Sequence, residues 1–207
     1  MAGVIIIGCI GNCLDIADAA RAAGQEVIGF LDDGPGTVGS TIYGAPLLGG
    51  IDSARSYPEA KFVCGIGGPN SHRSKLEIIA RTGLSPDWFA TVVDPSASIS
   101  PSAEIGAGTV LLANVSVAAN ARLGHHVMFL QNGVVGHDSV IGDGTVAAAG
   151  VVVSGGVSVG LSCYLGAGCT IRDGVKLGDG AFLAMGAVLV TDMPAGEKFI
   201  GVPAHPL

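Results

Sequence analysis

The sequence predicts two consecutive folds: a small α/β unit in residues 1–90 and an all-β parallel β-helix in residues 91–192, closed by a C-terminal segment in residues 193–207. Two observations support this division. An aliphatic residue recurs at every sixth position between Val93 and Leu189, which is the spacing of a parallel β-helix whose flat faces are single short strands. Before residue 90, apolar runs of strand length alternate with segments of helical spacing, which is typical of an α/β unit.

The six-residue repeat holds its phase over the whole predicted β-helix. Its column of large residues departs from Val, Ile and Leu only at Phe129 and Ala147. Four positions after each large residue comes a small or β-branched one, as at Ala103, Val127 and Cys163. Inside a narrow prism, the large side chains would stack at one inward position and the small ones at the other. Three such hexads make one triangular coil of roughly 18 residues.

Between the two inward columns lies a position that requires a turn. It is occupied mostly by Gly, Asn or Asp, residues that reach left-handed backbone angles with little strain. This pattern explains the high glycine content of the repeat without invoking disorder. A flexible linker or a β-sandwich would let the phase of the repeat slip, and the phase does not slip.

The first 90 residues follow a different pattern. Residues 4–7 are predicted to form a buried strand, which ends in a turn at residues 8–13. Apolar residues at helical spacing predict a helix over 14–23, and residues 26–31 predict a second strand. After a loop rich in Gly and Pro, residues 61–65 predict a third strand and residues 71–81 a second helix.

The composition restricts the classes of partner. With 49% apolar residues and a net charge of −7, the chain can bury a sizeable core and offers no Lys/Arg cluster to nucleic acid. The five cysteines form no CxxC pair, so we expect free thiols and no metal site. A basic leader and an apolar run of membrane-spanning length are both missing, which predicts a cytoplasmic protein that does not enter a membrane.

The glycines after the first strand and the acidic pair after the second are the residue types of a nucleotide-binding crevice. Backbone N–H groups at Gly8 and Gly11 could approach phosphates, and Asp32 or Asp33 could accept hydrogen bonds from hydroxyl groups. The full GxGxxG pattern is absent. The residues alone therefore leave three interpretations open: a nucleotide or sugar-nucleotide site, a NAD site, and a purely structural turn. Asp32 is the better candidate of the acidic pair.

His137 is the main catalytic candidate among the five histidines. Gly155 lies one coil further along the chain and Ala119 one coil earlier, so the imidazole would have small neighbours and an accessible backbone N–H beside it. A base and an N–H donor are the minimum for acyl transfer, and Asp138 could orient the imidazole ring. No Ser or Cys accompanies a histidine, which favours direct transfer over a covalent acyl-enzyme. The alternative is an exposed histidine without a function.

The repeat and the α/β unit together resemble a known family. The hexads, including residues 136–142 and the closing residues 201–204, resemble those of the left-handed β-helix acyltransferases. With the strand end at residues 30–33, they make the chain similar to the bacterial nucleotide-sugar N-acetyltransferases. That group includes the bacillosamine and perosamine N-acetyltransferases and the sialic acid O-acetyltransferase-like proteins. The resemblance covers almost the whole chain, and it implies the left hand of the β-helix, which the period alone does not give.

The resemblance also implies roles for individual residues. His137 would be the general base, and Asp138 would orient it. Acetyl-CoA would lie in a groove between two subunits of a homotrimer, with the Gly155 N–H near the thioester carbonyl. The residues implied along the acetyl-CoA path are Gly155, Ala167, Met185 and Gly186. The residues implied at the nucleotide-linked sugar are Gly8, Gly11, Asn12, Asp32, Asp33, Gly67 and Asn70.

The expected function is therefore an acetyl-CoA-dependent N-acetyltransferase that acts on a 4-amino-4,6-dideoxy sugar linked to UDP or GDP. O-acetylation of a sugar hydroxyl would use the same residues and is the nearest alternative. A sugar-nucleotide-binding scaffold without activity and a NAD-linked oxidoreductase are the remaining alternatives.

Overall fold

The computed structural model describes residues 3–34 and 36–207. The first two residues of the predicted α/β unit lie outside the described residues. An α/β unit comes first along the chain and is followed by a parallel β-helix. The predicted domain boundaries near residues 90 and 192 stay predictions, although the type of element changes at both places: two-residue strands begin at Val92 and the last of them ends at Leu189.

The α/β unit is built on a five-stranded sheet in which β1 occupies an interior position. Its elements are β1 Val4–Ile7, α1 Asn12–Ala22, β2 Val27–Leu31, β3 Thr41–Ile42, β4 Ala45–Gly49, a 3₁₀ helix Ile51–Ser56, β5 Lys61–Cys64, α2 Lys75–Arg81 and a 3₁₀ helix Pro86–Trp88. The strand order is β3-β4-β2-β1-β5. Strands β2 and β5 both run parallel to β1, so the carboxyl ends of all three strands meet at one edge of the sheet.

The predicted elements of this unit are present, with three differences in extent. Helix α1 begins two residues before the predicted start, because Gly11 takes a left-handed φ of 56° and turns the chain into the helix. The segment predicted to be a loop contains the β3–β4 hairpin, whose turn residues Tyr43 and Gly44 also have positive φ. Helix α2 begins at Lys75, because residues 71–74 form turns instead of the predicted helical start.

The β-helix consists of two-residue strands separated by turns. They are β6 Val92–Val93, β7 Ser98–Ile99, β8 Glu104–Ile105, β9 Val110–Leu111, β10 Ser116–Val117, β11 Arg122–Leu123, β12 Met128–Phe129, β13 Val134–Val135, β14 Val140–Ile141, β15 Val146–Ala147, β16 Val152–Val153, β17 Ser158–Val159, β18 Tyr164–Leu165, β19 Thr170–Ile171, β20 Lys176–Leu177, β21 Phe182–Leu183 and β22 Val188–Leu189, followed by β23 Lys198–Ile200 and β24 His205–Pro206.

These strands form three sheets of six, five and eight strands, which are the three faces of a prism. Each strand from β6 to β22 pairs in parallel with the strand one coil away, as Met128 pairs with Val146, whereas β24 pairs antiparallel with β23. The predicted coil length is thereby confirmed. The two predicted inward columns are also confirmed, since residues such as Leu165 and Cys163 are completely buried. In the turn column, Asn120 and Asp138 both have φ of 59°, and His126 and Ser162 adopt the same left-handed conformation.

The α/β unit covers only the eight-stranded face of the prism. Val110, Met128 and Val146 point outward from that face, yet they are buried in one cluster with residues of α1 and β1. On the other two faces, by contrast, the outward residues Val134 and Val140 are 37% and 45% exposed. The covered face therefore fixes where the α/β unit lies relative to each edge of the prism.

Three names describe the prism edges below. The His137 edge is formed by turns that join the six-stranded face to the five-stranded face, such as residues 136–139. The His126 edge joins the five-stranded face to the eight-stranded face, as at residues 124–127. The Met185 edge joins the eight-stranded face to the six-stranded face, as at residues 184–187. Among the described residues, no helix has the length and apolar character that crossing a bilayer requires.

Candidate active site

His137 lies on the His137 edge, in the turn between β13 and β14. Its Nδ1 is 2.8 Å from Oδ2 of Asp138, and Oδ1 of Asp138 accepts a hydrogen bond of 3.0 Å from Nδ2 of Asn120. An ionised carboxylate only accepts hydrogen bonds, so the ring carries its proton on Nδ1 and leaves Nε2 as a base. The hydrogen bonds from His137 and Asn120 lower the pKa of Asp138 below its ordinary value, which keeps this carboxylate ionised.

Gly155 lies directly beside the free nitrogen of His137. A Cβ atom at Gly155 would stand 2.6 Å from Nε2, closer than any real contact, so only glycine fits there without moving the ring. The two residues are one coil apart on the His137 edge, as the period predicts. The missing side chain leaves space against Nε2 in which a substrate group could lie.

Asp173 is a residue of this edge that sequence reasoning did not single out. Its Oδ1 accepts a hydrogen bond of 2.9 Å from the Gly155 N–H, the group assigned by resemblance to the thioester carbonyl. The signal was present in the period, because Asp173 lies one coil beyond Gly155. The site on this edge therefore contains two carboxylates: Asp138 on Nδ1 of His137, and Asp173 on the glycine that faces Nε2.

Ala167, Met185 and Gly186 lie on the Met185 edge and not beside His137. Met185 is 75% exposed and Gly186 has a φ of 67°. These residues occupy the turns that follow β18 and β21, whereas His137 follows β13. One chain therefore brings a single predicted acetyl-CoA residue, Gly155, to the predicted base, and the other three lie on a different edge.

A cleft of about 360 Å³ opens at the carboxyl ends of β1, β2 and β5. Five of the seven residues predicted at the sugar nucleotide line it; they are Gly8, Gly11, Asn12, Asp32 and Gly67. Nδ2 of Asn12 donates a 3.1 Å hydrogen bond to the carbonyl of Gly67, which ties the two glycine turns on either side of the cleft together. The N-terminus of α1 also faces this cleft, and helix N-termini favour anions.

Asp32 provides the carboxylate of the cleft. Its Oδ1 accepts a hydrogen bond of 2.6 Å from the N–H of Gly34, which fixes the orientation of the side chain. Cys9, another lining residue, lies close to Asp32: burial, together with the hydrogen bond to Asp32 and its negative charge, raises the pKa of the Cys9 thiol to about 11. The thiol is therefore protonated near neutral pH and leaves the carboxylate as the charged group of the cleft.

Asp33 and Asn70 do not line the cleft. Oδ1 of Asp33 accepts the N–H of Ile51 at 2.9 Å, and its Oδ2 forms an ion pair of 2.9 Å with Arg81. The hydrogen bond from Ile51, followed by the contact with Arg81, lowers the pKa of Asp33. Successive residues at a strand end point to opposite sides, so Asp33 faces the 3₁₀ helix and α2 while Asp32 faces the cleft. A structural role for Asp33 fits these contacts.

The α/β unit is attached along the His126 edge by two basic side chains. Nη2 of Arg73 donates 2.8 Å hydrogen bonds to the carbonyls of Gly180 and Gly196. The fully buried Lys75 donates a hydrogen bond of 2.6 Å from Nζ to the carbonyl of His126. Burial lowers the pKa of Lys75 to about 8. These bonds attach the segment that contains Arg73 and Lys75 to particular coils of the β-helix.

Helix α1 lies against the Met185 edge at the lower coils. Asp15 and Asp18 of the helix border a small groove together with Asp94 and Gln131 of that edge. The cleft at the beginning of α1 and the residues Ala167 and Met185 are thus on the same side of the chain. His137 lies on the edge between the two uncovered faces.

His126 forms the centre of the seam between the two parts of the chain. Its ring is buried edge-on against Phe89 at 4.6 Å, and its Nδ1 has no hydrogen-bond partner among the described residues. Burial, the positive charge of Lys75 and the neighbouring His125 lower the pKa of His126 from 6.5 to about 4, with Asp143 opposing weakly. The folded state therefore prefers the neutral ring more strongly than the unfolded state does.

This preference makes the stability of the seam sensitive to acid. The contribution of His126 is fully present above pH 6.5 and is lost as the pH falls towards 4, and its size is up to roughly 3 kcal/mol. We expect His126→Asn, which retains a residue suited to the left-handed turn, to reduce the loss of stability over this range. The measurement is the urea midpoint at pH 7 and pH 4.5. His125→Asn removes only the third of the three causes that lower the pKa of His126, so it should retain most of the wild-type pH dependence. Equal pH dependence in His126→Asn and wild type would contradict the prediction.

Comparison with known proteins gives a consistent set of relatives. The PglD N-terminal domain model matches residues 3–79. PerB from Caulobacter crescentus, solved in complex with CoA and GDP-perosamine, is 31% identical with a TM-score of 0.88, and the match covers 100% of this chain and 98% of PerB. The acetyltransferase domain of PglB from Neisseria gonorrhoeae is 29% identical with a TM-score of 0.88, and the match covers 100% of both chains. A search of curated proteins gives no match.

The chain belongs to the hexapeptide-repeat sugar acyltransferases. This acyltransferase has the left-handed β-helix and N-terminal α/β unit that the resemblance implied, and the prediction of an acyltransferase enzyme is confirmed. A mutant of perosamine N-acetyltransferase from Caulobacter crescentus, with asparagine in place of a histidine, has a TM-score of 0.90 to this chain at 27% identity, with coverage of 100% of this chain and 97% of that one. The roles of individual residues in this acyltransferase stay predictions.

Proposed function

We propose that the protein transfers the acetyl group of acetyl-CoA to the amino group of a nucleotide-linked 4-amino-4,6-dideoxy sugar. The observation that carries this proposal is the pairing of His137 with Asp138, which leaves Nε2 free and facing Gly155. The relatives solved with CoA and GDP-perosamine, or with acetyl coenzyme A, support the two substrate classes. The nucleotide is proposed to be UDP or GDP.

In this mechanism, His137 moves a proton in each half of the reaction. The acceptor enters as an ammonium ion and gives one proton to Nε2, so the lone pair on nitrogen becomes available. That lone pair forms a bond to the thioester carbonyl carbon, and the carbon–sulfur bond then breaks. The imidazolium returns its proton to the sulfur, and the second proton of the nitrogen goes to solvent. The products are the acetamido sugar, CoA thiol and one proton.

Asp138 and Gly155 have supporting roles in this scheme. The Asp138 carboxylate holds the Nδ1 proton and stabilises the imidazolium while Nε2 is protonated. The Gly155 N–H is the proposed donor to the oxygen of the tetrahedral intermediate, where such a donor contributes roughly 3–4 kcal/mol. This N–H is bonded to Asp173 in the structure, so it must change partner when the thioester arrives.

The cleft of the α/β unit is the proposed site of the nucleotide portion. Its lining contains no Lys or Arg among the described residues, so the diphosphate would bind to backbone N–H groups of residues 8–12 and to the N-terminus of α1. Asp32 would accept hydrogen bonds from hydroxyl or N–H groups of the nucleoside. Asp33 and Asn70 are left out of this proposed set because they face other parts of the structure.

The proposed active site lies between subunits of a homotrimer. One chain presents its acceptor cleft together with Ala167 and Met185, while its His137 lies on the edge between the two uncovered faces. A neighbouring chain that brings its own His137 edge against this side would complete the site. The geometry supports an intersubunit site, and a cytoplasmic location stays a prediction from the sequence.

The test of this function is release of CoA thiol from acetyl-CoA in the presence of UDP-, GDP- and dTDP-linked 4-amino-4,6-dideoxy sugars. Each is paired with its 4-hydroxy counterpart. We expect one amino sugar to support turnover and its hydroxyl analogue to be much slower. Turnover with the hydroxyl compounds alone would establish O-acetylation instead, and no thiol release with the whole panel would contradict the proposed acceptor.

A further inference from the structure

Asp173 is a carboxylate at the transfer site for which the reaction scheme above has no use. It lies two coils from His137 on the same edge and bonds to the N–H of Gly155 at 2.9 Å. The Nε2 atom of His137 faces the same glycine, since a Cβ there would stand 2.6 Å from it. A carboxylate and the base nitrogen therefore flank a single residue that has no side chain between them.

The two carboxylates at this edge are in different situations. Both carboxylate oxygens of Asp138 already have hydrogen-bond partners, because one accepts from Nδ1 of His137 and the other from Asn120. Asp173 has one described hydrogen bond, to a neutral backbone N–H, and its side chain is exposed. Its negative charge is therefore available to a cation that enters beside Nε2.

We propose that Asp173 recognises the ammonium group of the acceptor and so selects an amine over a hydroxyl, an inference that rests on the proposed function. An alkylamine near neutral pH is mostly protonated, so the acceptor arrives as a cation. The Asp173 carboxylate exchanges the Gly155 N–H for the acceptor ammonium, which is the stronger, charge-assisted partner. This exchange releases the Gly155 N–H for the thioester oxygen. A hydroxyl acceptor carries no charge and therefore does not drive this exchange of partners at Asp173.

The fold supplies a matched control for this assignment. Asp179 accepts the N–H of Leu161 at 2.8 Å, and Asp143 accepts the N–H of His125 at 2.8 Å, both across one coil as Asp173 does. These two residues lie on the His126 edge, away from His137. If these carboxylates have only a structural role, substitution of any of the three should affect binding of the acceptor in the same way. If Asp173 recognises the acceptor, only its substitution should reduce the preference for the amine.

The experiment measures the affinity of the CoA-loaded enzyme for a nucleotide-linked 4-amino sugar and for its 4-hydroxy analogue by calorimetry. CoA without the acetyl group prevents turnover. We expect wild type to prefer the amino compound, and Asp173→Asn to lose about tenfold in affinity for it while the hydroxy compound changes by less than about twofold. Asp179→Asn should retain the wild-type preference.

Further outcomes separate this inference from the proposed function. Equal affinity of wild type for the two compounds, or equal losses for both compounds in Asp173→Asn, would overturn the role of Asp173 even if thiol release proceeds. Absence of thiol release from the whole panel would count against the proposed function, whereas the amine preference is read from binding alone. Asp173→Ala, compared with Asp173→Asn by thermal unfolding, guards against loss of fold: a folded variant with unchanged amine preference would also overturn the inference.

Discussion

His137→Ala is expected to lower kcat by a factor on the order of 10² to 10⁴, because it removes the imidazole whose Nε2 faces Gly155. The affinity for acetyl-CoA should change by less than about twofold, since the predicted acetyl-CoA residues Ala167 and Met185 lie on another edge. The measurements are steady-state thiol release and direct binding of acetyl-CoA. A kcat within threefold of wild type would end the general-base assignment.

His125→Ala is the control for this substitution. His125 occupies the equivalent position of a hexad on the His126 edge, where its Nδ1 accepts the N–H of Ala107 at 3.0 Å. It shares residue type, exposure and hexad position with His137, but it has no carboxylate on Nδ1 and lies on the wrong edge. Its removal should leave kcat unchanged, so a similar loss in both variants would indicate damage to the β-helix and not loss of a base.

Mixing two inactive variants is expected to restore activity if the site lies between subunits. His137→Ala chains retain an intact cleft, and Asp32→Ala chains retain an intact base. After the two are unfolded together and refolded at equal amounts into trimers, about a quarter of the sites would combine an intact cleft with an intact His137. The assay uses sugar nucleotide well below the KM of Asp32→Ala, so that this variant alone contributes little.

Two controls make the mixing experiment decisive. The variants refolded separately and then combined should remain inactive, because intact trimers do not exchange chains during the assay. A site contained within one chain would give no recovery in the co-refolded sample, and this result would remove the intersubunit arrangement. A monomer by light scattering at the assay concentration would do the same.

The β-helix was predictable because its packing repeats locally. Each hexad satisfies the same two inward positions and the same turn, so Leu165, Cys163 and Asp138 could each be placed from their own six residues. The position of Gly155 beside His137 followed for the same reason. A property that recurs with a fixed period can be read from one sequence without any knowledge of distant contacts.

The features that escaped prediction depend on contacts that the period does not encode. The period places Asp173 one coil beyond Gly155, but it does not encode the hydrogen bond between the Gly155 N–H and the Asp173 side chain. The choice between Asp32 and Asp33 depended on which side of the sheet each residue faces at the end of β2. The seam at Lys75 and His126 depended on which face of the prism the α/β unit covers, and all three faces carry similar inward columns.

The register of the β-helix also fixes the distances between residues along each edge. Because each strand pairs only with the strand one coil away, residues on an edge are separated by whole coils, each about 4.8 Å high. The span from Gly155 to the C-terminal strands can therefore change only in steps of a complete coil. An insertion of any other length would rotate His137, Gly155 and Asp173 onto different edges. Among proteins of this architecture, the length of edge that can contact a long, thin substrate should thus differ by whole numbers of coils. Deletions should be tolerated only when they remove complete coils.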